Sequence, residues 1–271
     1  MRRALALCVL LVLAGCGATS DGGTATDTVT AVEVPDDATL APGLAESGVE
    51  RPDALADAHA GVLADTSYRL VSTETVRYAN GTLRESLTVD LRLAADRGYL
   101  VDTATAGPAA PVFLGTPPAN ATFWSDGETY LRRLSRENTT VYNEFEPREG
   151  GGTWQYWART VPFGGGTGNP RDFVEDTFAA ADTRLAGRIG VNGSTAYLVA
   201  ANATAEPFDP EYADPGAVSL RATVTRAGLV RTLTLRYEAT ADGEPVVVRR
   251  TLRYRKLGNT TAPRPPWAER V

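Results

Sequence analysis

Cys16 is the residue whose surroundings point most directly to a chemical reaction. It ends the sequence Leu13-Ala14-Gly15-Cys16, which follows two arginines and an apolar run over residues 4–14. A charged start, a short apolar stretch and small residues at a cleavage site are typical of a secretory signal peptide, and the cysteine makes this site a lipobox. The pattern predicts that residues 1–15 are removed and that the Cys16 thiol carries a diacylglyceryl group. The alternative is an ordinary signal peptide with a cysteine here by chance.

A diacylglyceryl group supplies the two acyl chains that a stable membrane anchor needs. We therefore expect a lipid-anchored protein at the cell membrane, on its extracytoplasmic face. Residues 16–48 are rich in Thr, Asp, Gly, Ala and Pro, which predicts a flexible tether. After the tether we expect a single domain over residues 49–258 and a Pro-rich C-terminal tail over residues 259–271.

Asparagine-linked glycosylation is the second chemistry that the sequence suggests. Six of the eight asparagines lie in Asn-x-Ser/Thr sequons, whereas chance predicts about one. The six are Asn80, Asn120, Asn138, Asn192, Asn202 and Asn259. An excess of this size favours a glycosylated surface protein. The alternative is that Asn-Gly turns followed by Thr-rich strands generate sequons, which accounts for Asn80 and Asn192.

Residue types that catalyse reactions are scarce in the predicted domain. Cys8 lies in the signal peptide, Cys16 is the anchor, and His59 is the one histidine. The domain therefore has no disulfide, no thiol nucleophile and no cysteine-ligated metal. His59 is better explained as a packed histidine than as a base. Three carboxylates lie at helical spacing, namely Asp172, Glu175 and Asp176. They are better explained as the solvated face of a helix than as an acid–base pair or a cation site. We expect neither an enzyme nor a metal or cofactor.

An aromatic stretch between two glycine-rich segments, residues 150–152 and 164–168, could carry a binding function. Glycine hinges around large apolar side chains suit a mobile lid over an apolar cavity. The candidate cavity or lid residues, including two from the helix that follows, are Trp154, Tyr156, Trp157, Phe163, Phe173 and Phe178. The alternative is two flexible loops around aromatic side chains that pack on the sheet.

The spacing of apolar residues predicts the elements that must position these groups. Helical spacing predicts helices over Pro52–Ala64, over 170–181 with Asn169 as N-cap, and over 154–159. Period-two alternation predicts strands around hairpin turns at 80–81, 126–127 and 192–193 and in a C-terminal meander. We expect an α+β fold, a curved open antiparallel sheet or incomplete barrel of about eight to ten strands, with two or three helices packed on its apolar face.

Several segments make the chain similar to an uncharacterised family of lipoproteins from halophilic archaea. They are the lipobox and residues 58–59, 67–70, 78–82, 124–130, 228–230 and 260–267. The resemblance brings no activity with it. At the level of element order the chain also resembles the LolA and LppX-like lipoprotein carriers, in which helices plug the apolar hollow of a curved sheet. That resemblance implies a hollow for acyl chains but no particular ligand residue.

These observations favour a non-enzymatic lipoprotein that binds an apolar ligand or lipid. The alternative is a cell-surface scaffold or interaction protein without a small ligand, and a hydrolase is a weaker third. The formal net charge of −6 makes nucleic acid and anionic headgroups poor partners for the chain as a whole.

Overall fold

An antiparallel sheet of eleven strands dominates the computed structural model, which describes residues 39–150, 156–158, 169–191, 193–204, 206–209 and 211–271. The strands are β1 (Tyr68–Tyr78), β2 (Leu83–Leu93), β3 (Tyr99–Ala106), β4 (Ala119–Ser125), β5 (Tyr130–Arg136), β6 (Thr139–Phe145), β7 (Ala181–Val191), β8 (Ser194–Thr204), β9 (Val218–Thr225), β10 (Val230–Ala241) and β11 (Glu244–Arg255). The described helices are α1 (Pro52–Ala64), α2 (Pro170–Ala180) and two 3₁₀ helices, Val112–Leu114 and Pro266–Arg270. None of them has the length and apolar composition of a membrane-spanning helix.

The strand order is β6-β5-β4-β3-β2-β1-β11-β10-β9-β8-β7. Two antiparallel meanders, β1 to β6 and β7 to β11, therefore join along one seam between the first strand and the last. Ten residues of β1 pair with β11, from Arg69 opposite Arg255 to Tyr78 opposite Val246. The two edges are β6 and β7, so the sheet stays open, as expected.

Alternation along each strand separates two faces of the sheet. The inner face carries Leu70, Leu91 and Tyr254, which are neighbours in the register and almost completely buried. The outer face carries Arg69, Arg92 and the other intervening residues. Turn chemistry fixes this register. For example, Asp242 and Gly243 both have positive φ, which the tight turn between β10 and β11 requires.

Both predicted α-helices are confirmed almost to the residue. Pro52 opens α1, and the side chain of Asn169 caps α2 by accepting a hydrogen bond from the backbone N–H of Arg171 at 3.0 Å. The helices contact each other, and the guanidinium of Arg171 donates to Asp57 of α1 at 2.6 Å. Of the third predicted helix, residues 156–158 form a turn and the others lie outside the described residues.

The expected eight to ten strands are too few, because the alternation does not predict β3 and β6. In β3, the outward face carries the apolar Leu100, whereas the buried inward face carries the polar Thr103 and Thr105. In β6, an edge strand, most side chains are exposed on both faces. Neither strand therefore has one apolar and one polar side, which is the pattern that predicts a half-buried strand.

Segments on either side of the predicted domain also pack against it. Before it, Ala41 and Leu44 are buried in the main core although they belong to the predicted tether. After it, Trp267 and Ala268 pack on the outer face against Leu100, Trp124 and Leu131. The indole N–H of Trp124 donates to the backbone carbonyl of Ala262 at 3.1 Å, which fixes this C-terminal segment to β4.

Candidate functional site

The inner face of the sheet is the largest apolar surface that the described residues form. Its buried side chains extend from Phe123 on β4, through Leu91 and Tyr254, to Leu235 on β10 and Leu220 on β9. The helix α1 packs against this face through His59, whose ring lies 5.2 Å from that of Tyr254. Any apolar ligand of this chain would have its main contact surface here.

His59 is held in one orientation at the α1 end of the inner face. The backbone N–H of Val230 donates to Nδ1 of His59 at 3.2 Å, and Nε2 lies 3.3 Å from the Tyr254 hydroxyl. Because Nδ1 accepts, the proton of the neutral ring is on Nε2. Burial lowers the pKa of His59 to about 4. The prediction of a packed histidine is confirmed.

A segment before β9 crosses the other end of the inner face. We call residues 206–209 and 211–217 the cover segment. Its backbone pairs with the end of β10, where Ala213 and Thr240 exchange hydrogen bonds of 3.0 and 2.9 Å. Its Tyr212 hydroxyl donates to the carboxylate of Glu85 on β2. The cover segment therefore reaches across four neighbouring strands.

An ion cluster lies under the cover segment, on an otherwise apolar face. The Arg250 guanidinium on β11 donates to Glu74 on β1 at 2.7 Å and to Asp209 of the cover segment at 2.5 Å. Arg250 and Asp209 are only 5% and 7% exposed. Burial lowers the pKa of Arg250, but the carboxylates, Glu74 first, outweigh it and leave a net rise. The guanidinium thus stays charged and ties the cover segment to the sheet.

Two side chains beside this cluster carry further polar groups. Burial raises the pKa of Glu85, and the hydrogen bond from Tyr212 partly offsets the rise. The Tyr237 hydroxyl is buried and has no hydrogen-bond partner among the described residues. Its ring packs against Phe208 of the cover segment, with ring centroids 5.2 Å apart. Buried hydroxyls in proteins are rarely left without a partner, so Tyr237 marks a polar point within an apolar surface.

The structure places four of the six candidate cavity residues. Trp157, Phe173 and Phe178 are 4%, 5% and 1% exposed and belong to the main core. Tyr156 stacks on Phe145 of β6 with ring centroids 4.7 Å apart. Trp154 and Phe163 lie outside the described residues. A role for these side chains in a cavity or lid stays a prediction.

Five of the seven candidate modification sites lie within the described residues. Five of the sequon asparagines are exposed, namely Asn80, Asn120, Asn138, Asn202 and Asn259. Asn192 and Cys16 lie outside the described residues. The amide oxygen of Asn80 accepts hydrogen bonds from the N–H and the hydroxyl of Thr82, at 2.9 and 2.7 Å. Exposure is necessary for glycosylation, and glycosylation of these sites stays a prediction.

The acidic face of α2 forms ion pairs rather than a cation site. The Arg171 guanidinium contacts Asp172, Glu175 and, on the neighbouring helix, Asp57. Burial raises the pKa of Asp176. Within the described residues, no group of three His, Cys, Asp or Glu side chains is arranged to hold a metal ion.

Sequence reasoning missed the ion cluster. The sequence 209–215 predicts an acidic loop punctuated by proline, which gives no indication that Asp209 is buried against Arg250. A signal for this was present in β11, where Val246, Val248, Leu252 and Tyr254 share the inner face and Arg250 occupies the inward position between them. A charged residue at a position that alternation assigns to the core needs a buried partner.

Comparison with known proteins gives a family and a group of similar structures. The model described as "Family of unknown function (DUF7537)" matches residues 2–271. No curated protein matches.

Similar solved structures include lipoprotein LppX from Mycobacterium tuberculosis, with 8% identity over 76% of this chain and 94% of that chain and a TM-score of 0.34. LprF from Mycobacterium bovis has 10% identity over 79% and 96%, with a TM-score of 0.36. A LolA superfamily protein from Nitrosomonas europaea has 6% identity over 77% and 93%, with a TM-score of 0.27. LppX and the LolA superfamily are the two groups that the element order resembles.

Proposed function

We propose that this chain, which belongs to the family of unknown function DUF7537, is a non-enzymatic lipoprotein of the extracytoplasmic membrane face that binds an apolar ligand or lipid. Cys16 carries the anchor. The ligand lies against the inner face of the sheet, between the strands and the segments that cover them.

The observation that carries this proposal is that the apolar face of the sheet is wider than the two α-helices placed side by side. Eleven strands have ten spacings of about 4.8 Å, so the sheet is about 48 Å wide. Two helices with diameters of about 10 Å, side by side, span less than half of that width. Inner-face residues far apart in the sheet, such as Phe123 on β4 and Leu220 on β9, are nevertheless buried. Much of the face is therefore buried by its own neighbouring side chains and by segments outside the two α-helices.

The ligand enters when the cover segment separates from the sheet. The side-chain ties of the cover segment to the sheet include the contact of Asp209 with Arg250 and that of Tyr212 with Glu85. When these contacts open, the buried inner face beneath becomes accessible. The unpartnered Tyr237 hydroxyl then offers a hydrogen bond to the polar end of a lipid.

The anchor is tested by substitution of its acceptor thiol. The wild-type chain should partition into the detergent phase after Triton X-114 separation, and Cys16→Ser should move it to the aqueous phase. A wild-type chain that stays aqueous would refute the anchor without bearing on the ligand.

The ligand is tested by native mass spectrometry of the Cys16→Ser chain, purified without detergent. We expect a stoichiometric adduct that organic solvent extracts as a lipid. Tyr212→Phe keeps the ring but removes the hydrogen bond to Glu85, so it should release a bound fluorescent acyl probe faster than wild type. The matched control is Tyr142→Phe, which removes a hydroxyl bonded to Arg270 on the outer face. An apo mass with no uptake of the probe would overturn the proposal.

The second candidate function, a surface scaffold without a small ligand, is favoured by the two open edges of the sheet. Val141 on β6 and Ile189 on β7 are 37% and 38% exposed, which is unusual for large apolar residues here. An open edge strand can pair with a strand of another protein. An apo mass together with an added partner strand, detected as protection of β6 or β7 amides from hydrogen exchange, would support this function instead.

A further inference from the structure

A cleft on the outer face has a different chemistry from the inner face. Its volume is about 550 Å³, and it lies where β1 begins and where β2 and β11 end. Arg69 and Arg92 line it on the strands, and the second wall is formed by Lys256, Asn259, Thr260, Thr261 and Pro263. Because Arg69 alternates with the inward-facing Tyr68 and Leu70, the cleft is separated from the inner face by the sheet itself.

Hydrogen bonds hold the second wall in a fixed position. The N–H of Thr260 donates to the Ser67 hydroxyl at 3.2 Å, and the Thr260 hydroxyl donates to the carbonyl of Lys256 at 2.8 Å. The N–H of Gly258 donates to the carbonyl of Ser67 at 2.8 Å. The cleft is therefore built into the fold and does not need to form when a ligand binds.

The side chains of the cleft leave an excess of positive charge. Arg69 donates to both oxygens of Asp90, at 2.8 and 2.5 Å, which neutralises one cation. Arg92 and Lys256 have no ion-pair partner among the described residues. The lining holds three cations and no carboxylate, in a chain whose net charge is −6. The carboxylates that act on these cations, Asp90 and Asp102, lie beside Arg69. Lys256 is the only lysine in the sequence.

The pairing register shows a second, independent anomaly at this place. Arg69 on β1 lies directly opposite Arg92 on β2 and directly opposite Arg255 on β11. Like charges opposite each other in a sheet are destabilising. Three arginines in one row across neighbouring strands repel one another, and the aspartates that act on the row, Asp90 and Asp102, both lie beside Arg69. A bound anion would reduce the repulsion between Arg69 and Arg92, which both line the cleft.

We propose that this cleft binds a phosphate group. Arginine presents a fork of N–H donors that matches phosphate oxygens, and lysine adds a compact positive charge. The hydroxyl of Thr261 can supply a further donor. The volume lies within the range of small-molecule sites, about 300–1,000 Å³, so the phosphate can belong to a larger molecule. A free phosphate ester and a phospholipid headgroup share this chemistry.

Isothermal titration calorimetry of the Cys16→Ser chain tests the proposal. The probes are inorganic phosphate, glycerol 3-phosphate and dihexanoyl phosphatidylglycerol below its micellar concentration, at low ionic strength. We expect saturable binding of at least one probe. Binding of the water-soluble phosphates assigns a free phosphate ester, and binding of the lipid alone assigns a headgroup; either supports the phosphate site.

Variants then locate the binding. Arg92→Gln and Lys256→Gln should each weaken it about tenfold or more, because each removes a charge-assisted contact. Arg249→Gln is the matched control, since it removes an exposed arginine of β11 that lies opposite Thr75, away from the cleft. It should leave the affinity within about twofold. No saturable binding of any probe, or an equal loss in all three variants, overturns the proposal. Uptake of an acyl probe at the inner face should be unchanged in Arg92→Gln, which separates this site from the proposed function.

Discussion

The buried ring of His59 makes a quantitative prediction about stability and pH. In the unfolded chain the histidine pKa is 6.5, and burial lowers it to about 4 in the folded protein. Above pH 6.5 the ring is neutral in both states and its contribution is constant. Between pH 6.5 and 4 the unfolded chain takes up a proton that the folded protein does not, so the free energy of unfolding falls as the pH falls. Below about pH 4 both states bind the proton and the loss stops.

The size of the loss follows from the shift in pKa. A difference of 2.5 units between the two states, at about 1.36 kcal/mol per unit, corresponds to about 3.4 kcal/mol. That is a substantial part of the roughly 5–15 kcal/mol by which a domain is stable. The chain has one histidine, so no second imidazole contributes to this pH range.

The measurement compares wild type with His59→Gln, which keeps an acceptor for the Val230 N–H and a donor for the Tyr254 hydroxyl. Urea unfolding followed by tryptophan fluorescence at pH values from 3.5 to 7.5 gives the free energy of unfolding of each protein. Carboxylates titrate in both and cancel in the difference. We expect the difference, wild type minus variant, to fall by about 3 kcal/mol between pH 7.5 and 3.5. A difference that stays constant within about 1 kcal/mol would refute a buried neutral His59.

Four further substitutions test the packing and the ion cluster by urea unfolding. Arg250→Met should lower the free energy of unfolding by about 3–5 kcal/mol, because two carboxylates lose their buried counterion. Gly228→Ala and Gly81→Ala should each cost about 1–2 kcal/mol, since both glycines have positive φ. Gly228→Ala should cost about 1–3 kcal/mol more, because a Cβ there lies 2.5 Å from that of Ala58 on α1, whereas Gly81 faces open space. Phe178→Ala should cost about 3–5 kcal/mol through the cavity it leaves in the core.

Each of these expectations has an outcome that contradicts it. An Arg250→Met protein as stable as wild type would mean that the ion cluster is not buried in solution. Equal losses of stability in Gly228→Ala and Gly81→Ala would mean that α1 does not lie in close contact with the turn before β10. If Phe178→Ala lowers the free energy of unfolding by less than about 1 kcal/mol, the Phe178 ring is not buried in solution.

The elements that the sequence predicts correctly have strong local signals. Proline at a helix start, Asn169 as a cap and the Asn-Gly and Asp-Gly turns act over a few residues. The ion cluster has no such signal, because Arg250 and its partners Asp209 and Glu74 are separated by 41 and 176 residues. Only the topology brings them together.

The cleft was missed for a related reason. Lys256 and Arg92 are far apart in the chain, and an overall negative charge hides a local excess of positive charge. The lipid anchor, the glycosylation and the halophilic origin stay predictions, as does the role of the candidate cavity residues.

The seam between β1 and β11 has a consequence for the order of folding. Each meander can form from neighbouring segments as soon as they are synthesised, but the pairs of the seam join residues as far apart as 69 and 255. Contacts of such sequence separation are slow to form, because the whole intervening chain must be brought into place first. Until β11 arrives, β1 is an unpaired edge in the middle of the future sheet, open to pairing with another nascent chain. We therefore expect C-terminal truncations before residue 244 to aggregate, even though they contain the entire first meander.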